Sequence, residues 1–222
     1  MTRQEIKQQA KSLVKGNLWL LFKPMLIIMG ITMIISLIPG LLRIQTTTTE
    51  TVELFGKMIE VESNNLVGEI WSTIVTAIEL VLSAGLVNYV LKFIKGETPE
   101  INDIFSIIKK HWWIILEVSI IVSLLTTLGT LLLIIPGIII SLGLSLCNYI
   151  IVDNSELSAM EVIKKSWAMM KGHKGEYLVY ELSFLGWILL CIFIFPVYYV
   201  IPYMNVTFAL FYEQLRKNEI QE

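Results

Sequence analysis

Apolar positions along this chain gather into long runs separated by short polar stretches. Val118 to Val152 is 35 residues without a charge, and Leu182 to Tyr212 is 31. One helical crossing of a bilayer needs about 20 residues, so each run suits a tight hairpin of two. Two shorter segments, Phe22–Leu42 and Ile70–Leu91, read as single crossings. With Trp113–Ile135, Gly137–Val152, Tyr177–Phe195 and Val197–Leu215, the pattern predicts six transmembrane helices. The fourth, at 16 residues, sits near the lower limit and suits a helix that is little tilted or re-entrant.

The runs repeat a local motif. Trp19-Leu-Leu-Phe-Lys23, Trp113-Ile-Ile-Leu-Glu117 and Tyr177-Leu-Val-Tyr-Glu181 each place an aromatic residue four positions before a charge. The aromatic suits the membrane interface, and the charge then lies about 6 Å deeper on the same helix face. Pro39, Pro136 and Pro196 follow the aromatics by 20, 23 and 19 residues, one crossing later, and mark outer turns or broken helix ends. Asn88, Asn148 and Asn205 recur in the returning segments. Start signals precede each unit: Thr2-x-x-Glu5 and Ser158-x-x-Glu161 are capping boxes, and Thr98-Pro99 sets a cap before proline. Apolar stripes follow, formed by Ile6, Ala10, Leu13 and Val14; by Ile101, Ile104, Phe105 and Ile108; and by Ala159, Ile163, Trp167 and Met170. The stripes fit helices lying on the cytoplasmic interface or packed against the bundle.

The pattern therefore predicts an all-α polytopic bundle: one integral membrane domain over residues 1–222, with six transmembrane helices arranged as three hairpin repeats of about 2–95, 98–153 and 158–217. Each repeat is preceded by a cytoplasmic amphipathic helix. An outer loop, residues 43–69, breaks the symmetry. Its centre reads as a β-hairpin turning on Gly56-Lys57, with Val52 opposite Val61, Leu54 opposite Ile59 and Glu53 opposite Glu60.

Composition agrees with a membrane protein: 55% of residues are hydrophobic and only 16% charged, where a soluble domain is about a quarter charged. Net charge is −2, yet 15 of the 17 lysines and arginines fall on one side of the predicted bundle and only Arg43 and Lys57 on the other. That asymmetry places both termini in the cytoplasm. The inner face suits anionic lipid headgroups, with Lys109, Lys110, Lys164, Lys165, Lys171 and Lys174 as contact candidates. Mixed charge signs close to the membrane argue against nucleic-acid binding. A long basic N-terminal stretch with no small-residue cleavage site argues against a removed signal peptide. Cys147 and Cys191 lie inside predicted crossings and read as small packing residues.

Met1–Trp19, Lys171–Leu190 and Ile201–Leu215 together resemble the bacterial integral-membrane family called domain of unknown function 975. That family is similar to the membrane region attached to some glycerophosphodiester phosphodiesterases. The resemblance implies a multi-pass protein of the bacterial plasma membrane, and it brings no activity or functional residues. The catalytic domain of the phosphodiesterase relatives is a separate soluble one, absent from this sequence.

Little in the chain suggests catalysis. His111 and His173 stand beside lysines without ligand spacing, so no metal or other cofactor is expected, and Ser145 has no histidine at matching depth. Charged groups within crossings usually face a partner or a cavity, which makes Glu79, Glu117, Glu181 and Lys23 the polar candidates, together with the three asparagines. Thr32, Ser123 and Thr126 are the hydroxyls expected near Glu79. An approximately three-fold bundle would bring Lys23, Glu117 and Glu181 to one axis. The sequence points to a non-enzymatic membrane protein that binds lipid or a protein or peptide partner in the membrane. A small transporter or permease component using its intramembrane carboxylates is the alternative.

Overall fold

The computed structural model describes residues 2–54, 57–154, 156–193 and 196–221. Among them the order is α1 (Arg3–Leu41), β1 (Thr47–Leu54), β2 (Lys57–Asn64), α2 (Leu66–Ile94), α3 (Ile101–Leu132), α4 (Ile134–Leu144), α5 (Cys147–Asp153), α6 (Ala159–Met169), α7 (Lys174–Leu190), a 3₁₀ turn (Cys191–Phe193) and α8 (Val197–Gln221). Five segments are long and apolar enough to cross a membrane: α1, α2, α3, α4 with α5, and α7 with the 3₁₀ turn. The expected sixth, Val197–Leu215, lies in α8 and is not among them. Tyr198, Tyr199, Tyr203, Asn205 and Tyr212 lower its mean hydropathy.

The chain forms two compact units, one of Met1–Met25 with Val81–Glu222 and one of Leu26–Leu80. The smaller unit holds the second half of α1, the β-hairpin and the first half of α2. Asn65 stands before α2, where its side-chain oxygen accepts the N–H of Gly68 at 3.0 Å and its amide donates to the Gln45 carbonyl at 2.9 Å. A side chain at position 68 would strike the Thr46 carbonyl, so glycine there lets the hairpin sit on the helix start. The hairpin register differs from the expected one by two residues: Leu54 pairs with Lys57, Val52 with Ile59, Thr51 with Glu60 and Glu53 with Met58. Residue 56, half of the expected turn, lies outside the described residues, and Lys57 belongs to β2. In this register Thr51, not Glu53, stands opposite Glu60.

In the larger unit, three lead-in segments precede long helices. α1 bends at Asn17 (φ −133°, ψ 25°), two residues before Trp19. α3 bends at His111 (φ −131°, ψ 16°), two residues before Trp113. Between α6 and α7 the chain turns through Gly172 (φ +85°) before Tyr177. Capping follows the predicted pattern at two of the three starts. The Thr2 N–H donates to Glu5 at 2.8 Å, and the Ser158 N–H donates to Glu161 at 2.8 Å. Two bonds from Ser158, hydroxyl and N–H, hold the exposed Glu161 carboxyl below the usual carboxylate range. The second start is corrected: Glu100, not Thr98, is the cap, and its N–H donates to Asp103 at 2.8 Å.

The apolar stripes of the lead-ins are largely buried. Ile6, Ala10, Val14, Ile104, Ala159, Ile163 and Met170 are all core residues, and only Trp167, at 42% exposure, faces outward. Glycines let two lead-ins approach: a Cβ at Gly85 would come 2.6 Å from the Ile104 carbonyl, and one at Gly143 would strike the Trp167 ring. Ser166 fixes the second contact by donating to the Gly143 carbonyl at 2.9 Å. The first lead-in packs on the last two long helices, Lys7 donating to the Ser183 hydroxyl at 2.6 Å and accepting at its carbonyl from Tyr203 at 3.4 Å.

The reversal between α3 and α4 takes one residue, Leu133, in extended conformation. Pro136, expected at an outer turn or a broken helix end, sits within the first turn of α4, where its missing N–H has no intrahelical partner to lose. Pro39 likewise lies in the last turn of α1, and Pro196 directly precedes α8. α8 is enclosed over residues 206–215. Val206, Thr207, Ala209, Phe211, Tyr212, Glu213 and Leu215 are buried, and at about 100° per residue they cover all sides of the helix.

Candidate functional site

Three helices of the larger unit end together in a charged junction. α2 delivers Lys95 just past its last turn, α5 ends on Asp153, and α8 presents Tyr212, Glu213 and Arg216. Asp153 is the hub. Its Oδ1 accepts from Lys95 Nζ at 2.8 Å, and its Oδ2 from Arg216 Nη1 at 2.7 Å and from the Tyr212 hydroxyl at 3.0 Å. Glu213 receives Arg216 Nη2 at 2.9 Å and lies 3.6 Å from Lys95 Nζ. The carboxylate side chains keep only 9% and 10% of their exposure, against 31% for each cation. Buried carboxylates are tolerable where cations and hydroxyls surround them, and here the cations form the outer layer. Tyr212 is positioned by stacking on Tyr149, centroids 5.2 Å apart.

Beside the junction a cavity of about 540 Å³ opens between Gln9 of α1 and the end of α8, lined also by Lys95, Glu213, Arg216 and Lys217. Lys95, Arg216 and Lys217 outnumber the carboxylates Asp153 and Glu213, leaving one positive charge over. Arg216 Nε is buried without a hydrogen-bond partner among the described residues. A second ion pair lies nearby in sequence: Lys92 meets Asp103 at 2.6 Å, while Asn88 donates to the Asp103 carbonyl at 2.8 Å, joining α2 to the lead-in of α3. Among the described residues there is no group of three or more metal-ligating side chains.

Residues 127–219 match the model of the family described as protein of unknown function (DUF975). Over this stretch the chain is similar to that family. No curated protein and no solved structure matches the chain. Two of the three resembling stretches, Lys171–Leu190 and Ile201–Leu215, lie inside the DUF975 match, and Met1–Trp19 lies outside it.

The stretch that matches the family model supplies most of the junction, through Asp153, Tyr212, Glu213 and Arg216, and none of these was a candidate from the sequence. The signal was present: each returning asparagine is followed within eleven residues by charge, as Lys92 and Lys95, as Asp153, and as Glu213 and Arg216. The expected cluster of Lys23, Glu117 and Glu181 is not formed. All three lie on exposed faces, and no ion pair joins them among the described residues. Glu79 too lies on an exposed face of α2, and the Thr32 hydroxyl donates to the Met29 carbonyl instead. Asn148 donates to the Ser83 hydroxyl at 3.2 Å and so ties α5 to α2, whereas Asn205 bonds within α8 to Ile201 at 3.0 Å.

Of the basic candidates, Lys109, Lys110, Lys164 and Lys171 are exposed. Lys165 reaches Glu219 at 3.8 Å, and the Lys174 ammonium sits 3.1 Å from the centre of the Trp167 ring. Both cysteines are free thiols; Cys147 is buried and Cys191 bonds to the Trp187 carbonyl.

Proposed function

We propose that the chain is a non-catalytic multi-pass membrane protein whose charged junction holds the phosphate of an anionic lipid headgroup. The carrying observation is the cavity beside Asp153, lined by Lys95, Arg216, Lys217 and Glu213, where three basic side chains outnumber two carboxylates. A phosphate oxygen would take the excess charge and the free Arg216 N–H. The 15-to-2 distribution of basic residues supports a reading in which this end faces the cytoplasm. In this reading α8 is the sixth crossing, enclosed by the rest, and the bends at Asn17 and His111 with the turn at Gly172 mark three equivalent passages from interfacial lead-in to membrane helix. The exposed positions of Glu79, Glu117 and Glu181 favour lipid binding over a transport path through the bundle.

Lys217 lines the cavity without an ion pair among the described residues, so its removal leaves the junction's own bonds intact. In native mass spectrometry with phosphatidylglycerol and phosphatidylcholine of matched chains, wild type is expected to retain phosphatidylglycerol preferentially. Lys217→Gln should weaken that retention about fivefold, the equivalent of about 1 kcal/mol for one basic contact at a membrane surface. Unchanged selectivity in both Lys217→Gln and Lys217→Glu would remove the junction from consideration as the headgroup site.

A further inference from the structure

Glu181 stands one helical turn beyond Tyr177 on α7, yet the two side chains have opposite fates. Tyr177 is buried against Phe208 and Phe211, with ring centroids 4.9 and 5.5 Å away. Glu181 is exposed, and its carboxylate makes no hydrogen bond or ion pair among the described residues. It opens on a groove of about 330 Å³ between α3, α4 and α7, lined by Thr126, Thr130, Gly137, Ser141 and Leu178. The groove has a rigid wall. Gly129 and Gly137 bring α3 and α4 into contact, so that a Cβ at Gly137 would lie 2.8 Å from the Thr130 Cα. Thr130 spends its proton on the Thr126 carbonyl at 2.8 Å, which leaves its oxygen as an acceptor.

Ile138 at the groove is exposed, and the same three helices carry further uncovered apolar side chains at Leu128, Leu131, Ile139, Leu182 and Leu185. A ligand therefore arrives from the hydrocarbon phase, carrying a chain that suits those faces. Its head must answer an unpartnered carboxylate and hydroxyl oxygens, all acceptors. A primary ammonium, with three donors and one positive charge, has that chemistry. A phosphate or sulfate does not.

We propose that the groove beside Glu181 is a binding site for the amine of an amine-bearing membrane lipid, the ammonium resting on Glu181 and the hydroxyl oxygens of Thr130 and Ser141. The site is separate from the charged junction, which selects the opposite charge. Phosphatidylethanolamine and its N-acetyl derivative share chains and phosphate and differ in the ammonium, so purified protein titrated with each in native mass spectrometry isolates the proposed contact. Wild type is expected to retain phosphatidylethanolamine severalfold better. Glu181→Gln, nearly isosteric, should abolish the preference, and Glu181→Asp should keep part of it. Equal retention of the two lipids by wild type overturns the proposal without any variant having to fold, and so does an undiminished preference in Glu181→Gln with an unchanged melting temperature. Selection of phosphatidylglycerol through Lys217 is read with different lipids, so failure of one site is distinguishable from failure of the other.

Discussion

Pro24 removes one backbone donor from α1, and a residue of another helix makes up for it. The carbonyl that the Pro24 N–H would have bonded is that of Leu20, four residues back, and the Tyr89 hydroxyl of α2 donates to it at 3.0 Å. Tyr89 is otherwise buried in the core. Away from water, a carbonyl freed by proline needs another donor. Tyr89→Phe keeps the ring and deletes the donor, and is expected to lower stability by about 1 to 3 kcal/mol in detergent thermal unfolding. A neutral outcome would mean that the Leu20 carbonyl finds water. The sequence displays both Pro24 and Tyr89, but their partnership spans 69 positions and rests on tertiary packing. Asp153 was hidden for a related reason: it ends an apolar run, where a charge reads as a boundary, and nothing local reveals that two cations and a tyrosine converge on it.

At the scale of elements, periodicity was informative and pairing was not. The stripes of the lead-ins, the two capping boxes and the breaks ahead of Trp19, Trp113 and Tyr177 were all visible as spacing, because spacing governs which helix face meets an apolar neighbour. Whether that neighbour is lipid or protein was not visible, and burial of Ile6, Ala10 and Val14 decides for protein. The β-hairpin was recognisable from its alternation, while its register depended on where the turn closed and which acids then faced each other. Glycines sort in the same way. Gly137 and Gly85 admit neighbouring backbone within 2.8 Å and 2.6 Å of a would-be Cβ, whereas Gly30 in α1 has nothing within 4 Å. Alanine at 137 or 85 is expected to destabilise by about 1 to 3 kcal/mol, and Gly30→Ala to be neutral or to stabilise by up to about 1 kcal/mol. Thermal unfolding of the three variants checks the contrast, and equal losses at all three positions would contradict the close approaches.

For the molecule as a whole, the expected cluster of Lys23, Glu117 and Glu181 is not formed, and a charge cluster of other residues stands elsewhere. It is built by α2, α5 and α8 rather than by α1, α3 and α7. The first set ends in buried carboxylates ringed by cations, and the second leaves Lys23, Glu117 and Glu181 uncovered. Hydropathy could not rank these helices by burial, since a helix surrounded by protein has no need to resemble oil. α8 is the case in point, aromatic, polar and enclosed, below the threshold that five other segments pass. That property has a consequence for biogenesis. In the proposed six-crossing reading, a segment too polar to partition from the translocon by itself must be carried into the bilayer by partners already there, so α8 is expected to join last and only in company. Placed alone in a glycosylation-reporter host, residues 197–215 should integrate poorly, and in the full chain they should integrate well, with Asp153→Ala lowering the integrated fraction by withdrawing the anchor for Tyr212 and Arg216. Efficient integration of the isolated segment would show that its tyrosines are at ease in lipid and that its place in the core is acquired after insertion.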